Sequence, residues 1–430
     1  MRHVKISGWA LLLAAAPLAA QDTTQVRIGL TYQAGVQPTV VVLSVGGAAG
    51  DSARAIIARD LDYGDRMRVT TGPGAVAYEA ALGQDGSPPN YPLWQRLGAA
   101  GVIHADLLPN GIRVRMHDVA GRRLATARDF PLDGAPLSRE WRMSLHGVSD
   151  EIERWITGTR GIAQTRVAFV RGGRVQVVDS DGAMETGVTS GGGALSPSWH
   201  PRGDAIAYSA FGARGTEIRV QDLRANRERR LSGAAGGLNI TPEWTPSGDS
   251  IVFAHGQESG TDLFVISASG GTPRRITVGR GTDNTSPSFS PDGRRLAFTS
   301  GRSGHPEIYT VDLDGANAEL LTPFTIGESS YRSSPSWSPD GRLVAFQARV
   351  AGRFQIMTIN LRDRSMRQLT SEGINEDPSW APDGRHLVFT STRSGVQQLW
   401  VLDVETGRAR QLTRQGGSRL AAWSRVLPPA

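Results

Sequence analysis

From residue 166 to residue 423 apolar and polar positions alternate in short runs, each broken after a few residues by Gly, Pro, Asp or Asn. Arg295-Leu296-Ala297-Phe298-Thr299-Ser300 is one such run, with Leu296 and Phe298 on the same face of a strand. Pro291-Asp292-Gly293 ahead of it is a turn, since Pro presets φ, Asp bonds its own backbone and Gly accepts positive φ. A polar turn at Arg302-Ser303-Gly304 leads into a second run, Ile308 to Leu313. Asp314-Gly315 then turns the chain into Leu320-Leu321-Thr322. With the stretch before Pro291, this predicts four short antiparallel strands.

The unit repeats. Ser196-Pro197-Ser198-Trp199 returns as Thr241-Pro242-Glu243-Trp244, Ser286-Pro287-Ser288-Phe289, Ser334-Pro335-Ser336-Trp337 and Asp377-Pro378-Ser379-Trp380, with a degraded copy at Ala421-Ala422-Trp423-Ser424. The aromatics are spaced by 45, 45, 48, 43 and 43 residues. Such a period with short strands inside it marks a β-propeller, one blade per repeat. The last copy has no strands after it, and three strands before the first copy (166–170, 175–178 and 186–189) have no opening phrase. The expectation is six blades, the C-terminal strand completing the N-terminal three and hiding their edges. The repeated aromatics are expected to be wedges between blades.

Residues 21–160 have a different texture. Val40 to Leu43 reads as a strand, Gly46-Gly47-Ala48-Ala49-Gly50 as a turn and Asp51 to Leu61 as a helix. Two further strands are predicted around 101–105 and 112–116, with a turn at Asn110-Gly111. Trp141, Leu145, Val148, Ile152 and Trp155 fall on one stripe of a helix over 138–155. The fold class expected is therefore mainly β: a six-bladed propeller over 161–430, preceded by a small α/β domain over 21–160.

The first 20 residues change the picture of where this happens. Arg2 and Lys5 precede an apolar stretch from Ile6 to Ala20, a signal-peptide pattern with cleavage expected near Ala20. The sequence has no cysteine, hence no disulfide, no thiolate metal site and no lipid-acceptor thiol. The formal charge of +6 comes almost wholly from Arg scattered singly into turns, which reads as solvated surface and not as a nucleic-acid stripe. No two of the eight histidines stand at metal-ligand spacing, and there is no Gly-x-Ser-x-Gly elbow. The glycine-rich turn at 46–50 lacks the Lys-Ser/Thr of a phosphate loop. The residues lead to the expectation of no cofactor and no metal.

Ser334 to Arg342, Ser-Pro-Ser-Trp-Ser-Pro-Asp-Gly-Arg, resembles the propeller repeat of the TolB family, the periplasmic component of the Tol–Pal system. Ile57-Ala58-Arg59-Asp60-Leu61 and Trp94 to Ala99 resemble that family's first two N-terminal-domain helices. Ser149 to Thr157, Gly161 and Thr165 to Val170 resemble its domain junction. The resemblance implies a periplasmic adaptor and not an enzyme, expected to be monomeric and without membrane insertion, and with no nucleic-acid partner. Its propeller mouth would bind a Pal-like peptidoglycan-associated lipoprotein, and its N-terminal segment a TolA-like inner-membrane protein. The TolA-like contact would fall on Gln25, Val26, Arg27, Ile28, Gly29 and Leu30, an alternating segment suited to adding a strand to a partner's sheet. Gly29 and Leu30 depart from the family's more branched pattern. The Pal-like contact would fall on loops entering the inner strands: Asn239, Thr241, Asp283, Asn284, Thr285, Tyr331, Arg332, Asn375 and Glu376. The loop from Pro323 to Ser333 accounts for the 48-residue spacing and carries Tyr331 and Arg332, residue types favoured at hot spots. Two alternatives stay open at this point: an exported propeller enzyme acting on polysaccharide, and a scaffold with other partners.

Overall fold

The computed structural model describes residues 37–83, 88–232, 236–257, 260–278, 282–323 and 330–427. The expected signal peptide and the segment Gln25 to Leu30 lie outside the described residues.

The N-terminal domain is a five-stranded sheet in the order β2-β1-β3-β4-β5. β1 (Thr39–Val42) runs parallel to both β2 (Arg68–Thr70) and β3 (Gly101–Leu108). β4 (Gly111–Asp118) and β5 (Arg123–Pro131) continue it antiparallel. The two-residue period of β1 serves two cores. Val40 and Val42 pack with α1 (Gly47–Tyr63) and α4 (Arg139–Thr157), whereas Val41 packs with Tyr78 of α2 (Val76–Glu79) and Trp94 of α3 (Tyr91–Arg96). That is why the strand reads as a continuous apolar run. α4 buries Trp141, Leu145, Val148 and Ile152 as its stripe predicts. The Ser138 hydroxyl caps it by accepting the Trp141 amide at 3.2 Å, and Gly158 ends it at φ 78°.

Helix α1 begins four residues before Asp51, so the glycine run is its first turn and not a separate loop. The turn itself sits at Gly46 and Gly47, whose φ values are 77° and 73°. A Cβ at Gly50 would meet the Val45 carbonyl carbon at 2.9 Å, so the helix start can lie this close to the chain before it only with glycine there.

The described residues form six four-stranded blades. Their inner strands are Ala194–Trp199, Leu238–Trp244, Asn284–Phe289, Arg332–Trp337, Asn375–Trp380 and Arg419–Trp423. Each packs on the next, and the last packs on the first. The sixth blade is composite: Arg419–Trp423 pairs with Arg166–Arg171, followed outward by Arg174–Asp179 and Thr186–Gly187. The expected closure is thus the observed one. The aromatics are wedges between blades, and two of their indole N–H groups reach the preceding blade: Trp199 donates to the Ala422 carbonyl at 3.1 Å and Trp380 to that of Ser336 at 3.0 Å. Where a serine precedes the aromatic it clips the following blade, as where Ser288 accepts the Trp337 amide at 2.9 Å and Ser379 that of Trp423 at 3.0 Å.

The end of α1 docks on two turns of one blade, the one that leaves the inner strand Asn375–Trp380 and the one between the third and fourth strands. Arg408 bonds Asp62 and Asp65 at 2.8 Å, and Arg385 donates to the Asp65 carbonyl at 2.8 Å. Buried His386 lies between Asp383 (2.7 Å) and Asp65 (3.3 Å), and Arg66 between Glu153 (3.0 Å) and Asp383 (3.6 Å). Burial alone would lower the His386 pKa, but the two carboxylates outweigh it and raise it to about 9. The docked domain therefore stands on one face of the ring, and the loops entering the inner strands open on the other.

Candidate partner-binding face

Each inner strand carries one residue in the left-handed region: Ser196, Thr241, Ser286, Ser334, Asp377 and Leu420, with φ between 47° and 55°. Each coincides with a register shift against the second strand of its blade. A bulge of this kind re-aims side chains. Here it turns successive blades towards one another: the Ser286 amide donates to the Thr241 hydroxyl at 3.1 Å, and the Ser334 hydroxyl to Asp377 at 3.3 Å. Hydroxyls therefore dominate the ring of bulges around the axis. Two carboxyl groups interrupt the hydroxyl pattern of the repeated phrase. Burial, reinforced by Glu376, raises Asp377 to about 6, and burial raises Glu243 to about 7 although Ser198 donates to it at 2.8 Å.

Above the bulges lies a repeated notch that uses three of the expected contact residues structurally. Asn284 donates to Asp262 at 2.9 Å and accepts from Ser300 at 2.7 Å and Arg302 at 3.3 Å. Asn375 donates to Gln355 at 2.8 Å and accepts from Arg393 at 3.3 Å. Asn239 donates to the Thr216 carbonyl at 2.7 Å and pairs with the His255 ring at 3.1 Å. All three are buried, so their amides hold the wall of the mouth. Thr241 belongs to the ring of bulges, and Thr285 is half-buried beside it.

The remaining expected residues differ in access. Asp283 is exposed, while Glu376 is half-buried and raised by that burial against the pull of Arg419. Tyr331 is 40% exposed and sets its ring edge-on to Phe354, centroids 5.3 Å apart. Arg332 is turned inward, bonding buried Glu307 at 2.9 Å and the Pro323 carbonyl at 2.9 Å. The structure thus brings these positions to one rim but leaves Tyr331 and Asp283 as the ones that present side chains freely.

Two sets of rim residues were not anticipated. Arg302 and Arg393 lie over Tyr309 and Trp400, each 4.9 Å from the ring centroid. Their signal was present as the repeated Ser-x-Arg-Ser-Gly at 300–304 and 391–395. The second set is apolar. Phe211, Leu238, Val278, Ile374 and Val396 stand exposed on the strand ends, turns and loops of this face, Val278 at 78% and Phe211 at 63%. Exposed apolar side chains gathered on one face mark interaction surfaces.

Among the described residues, two groups elsewhere have ligand-like composition: Asp60, His146 and Asp181, and Asp65, His386 and Asp403. Arginines already serve both. Arg59 and Arg142 bond Asp181, and Arg385 bonds Asp403. They are interdomain ion-pair clusters in composition and position.

A family model described as the TolB beta propeller domain matches residues 153–427. The chain is 32% identical over 240 residues to the Tol-Pal system protein TolB of Methylococcus capsulatus, covering 52% of this chain and 54% of that protein. It is 33% identical over 240 residues to the protein of the same name from Thioalkalivibrio sulfidiphilus, covering 51% and 53%. The chain spans about half the length of the curated relatives it matches. In fold it is similar to the crystal structure of TolB from Acinetobacter baumannii, with a TM-score of 0.75, 23% identity, and 92% and 98% of the two chains covered.

Proposed function

Because the chain belongs to the TolB β-propeller family, we propose that it is a periplasmic adaptor of the Tol–Pal system, a binding protein and not an enzyme. The propeller mouth takes a Pal-like outer-membrane lipoprotein, and the segment Gln25 to Leu30 takes a TolA-like inner-membrane protein. Such a link serves envelope integrity and constriction of the outer membrane at division. No helix among the described residues is long and apolar enough to cross a membrane.

The observation that carries this reading is the set of exposed apolar side chains, Tyr331 among them, on the face the N-terminal domain leaves uncovered. Aromatic anchors amid polar loops are what a protein interface uses for affinity. Thr241, Asp283, Thr285 and Glu376 complete the rim, and Asn239, Asn284, Arg332 and Asn375 hold its shape.

Calorimetric titration with the soluble domain of the same organism's Pal-like lipoprotein is the test, with micromolar or tighter binding expected. Tyr331→Ala should weaken it by at least about 1 kcal/mol. Unchanged affinity would remove Tyr331 from the site, and no binding by folded wild type would remove the adaptor reading.

A further inference from the structure

Helix α4 presents a buried polar stripe to the junction of the two domains. Asp150 and Glu153 lie one turn apart on it, and both are buried. Asp150 is well partnered. It accepts the Ala163 amide at 2.7 Å and the Gln164 amide at 3.0 Å, which pins the linker 158–165 against the helix. Glu153 is less well served. A side chain at Gly64, just past α1, or at Gly161 of the linker would run into its Oε2, so both segments close over the carboxyl. Arg66 is the cation that touches it among the described residues, and the contact is incomplete. The Arg66 Nε lies 3.0 Å from Oε1 yet has no hydrogen-bond partner among the described residues.

Arg66 also has a second claimant, from the other domain. Its Nη2 lies 3.6 Å from Asp383 of the propeller, which in turn bonds His386 at 2.7 Å. The groups that face Glu153 are therefore Asp150 on its own helix, Arg66 after α1, and Asp383 and His386 from the propeller. Both cations are shared, Arg66 with Asp383 and His386 with Asp383 and Asp65. A carboxyl taken out of water without a counter-ion of its own favours its neutral form. Burial, reinforced by Asp150 and Asp383, outweighs Arg66 and His386 and raises Glu153 to about 8. Burial likewise raises Asp150 to about 7, against the two amides it accepts.

We propose that Glu153 is a proton latch between the two domains. Protonated, it leaves Arg66 to Asp383 and lets the seam close. On losing its proton it draws Arg66 back and repels Asp383 across the seam, so that the docked domain loosens about the linker. Because the folded value lies above the ordinary 4.5, the stabilisation of the closed seam is complete below about 4.5 and is lost as pH rises through about 8. His386, protonated to about 9, is not the group that titrates in this step. The latch belongs to the seam and does not depend on what the propeller mouth receives.

The chain has no cysteine, so Gln95→Cys/Arg294→Cys, at two exposed positions, places one spin label in each domain. Pulsed dipolar spectroscopy on the full chain then reads the interdomain distance from about pH 6 to about pH 9.5, with circular dichroism on the same samples. A narrow distance distribution at the acid end should broaden and lengthen with a midpoint near pH 8, while circular dichroism stays constant. Glu153→Gln keeps the shape and cannot ionise, so it should hold the narrow distribution throughout. Glu140→Gln, at an exposed acid of the same helix, should follow the wild type. An unchanged distance in the wild type over the whole range would overturn the proposal, whatever the variants do. Loss of circular dichroism together with the distance would also overturn it, since the chain would then be unfolding and not unlatching. A Glu153→Gln chain that opens at the same pH as the wild type would assign the opening to another group and defeat the latch.

Discussion

Arg385 is a buried charge whose loss should cost the fold several kcal/mol. It is 3% exposed and forms two parallel bonds with Asp403, 2.8 Å from Nε to Oδ1 and 2.6 Å from Nη2 to Oδ2. Its Nη2 also donates to the Asp65 carbonyl across the domain boundary, and Nη1 faces Glu405 at 3.0 Å. Arg385→Ala would leave Asp403, which has no exposure, without its counter-ion. Breaking a buried pair from one side costs about 3–5 kcal/mol, because the remaining charge stays desolvated. Asp403 would retain the Thr406 hydroxyl at 2.6 Å and the Glu405 amide at 2.9 Å, which places the expectation at the lower end. At about 2 °C per kcal/mol for a domain of this size, about 3 kcal/mol lowers the melting temperature by about 6 °C. The assay is urea unfolding followed by tryptophan fluorescence and circular dichroism, with Arg385→Met, Asp403→Asn and the double variant completing a cycle. The double variant should be less destabilised than the sum of the singles by at least about 1.5 kcal/mol. A loss below about 1 kcal/mol for Arg385→Ala, or strict additivity in the cycle, would refute the argument.

The pH dependence of domain docking follows from His386. Its raised pKa makes a contribution fully present below the unfolded value of about 6.5 and lost as pH rises through about 9. The melting temperature should fall across that window, and His386→Gln should flatten the fall; identical profiles would exclude the histidine. At the acid end, Asp383 is held well below the usual carboxylate range by His386 despite its burial. Its contribution should therefore survive to strongly acidic pH and show as a late acid limb in the same profile. Trp423→Ala should cost about 3–5 kcal/mol, since the ring wedges between blades and its N–H donates to Thr165 at 2.8 Å. Hydrogen exchange should then show Arg166–Arg171 losing protection before the other blades, and uniform protection would mean that closure does not depend on this wedge.

The propeller was legible because its signal is local and repeated: a blade needs only turns, two-residue periods and one wedge, and the phrase from Ser334 to Asp340 supplies them within a few residues. Blade closure was legible by strand counting. The start of α1 was not, because Gly47 to Gly50 has turn composition and is helical for a tertiary reason, the close approach to Val45. Strand β2 is only three residues long, and β5 is a mostly exposed edge, so neither carries a strong apolar alternation. The ion-pair cluster at the domain boundary joins residues 62–66 to residues 383–408, and nothing in either segment names the other. The notch asparagines look like ordinary loop residues until their partners, Thr216, Asp262 and Gln355, are seen on the third strands.

The composite sixth blade has a consequence for the order in which the molecule can be made. Arg419 to Trp423 emerges from synthesis after every other inner strand, yet it must pair with residues 167–170, which emerge before all of them. The first three strands of that blade must therefore wait, with an open edge, for nearly the whole ring to be produced. Five blades can form from neighbouring sequence as they appear, but the sixth requires contact between segments about as far apart as the ring allows. A chain interrupted before residue 419 would keep an edge able to recruit other strands, and one that reaches it becomes inert at a single step. Ring closure thus acts as a check on length, readable by any protease or chaperone that recognises an unpaired strand.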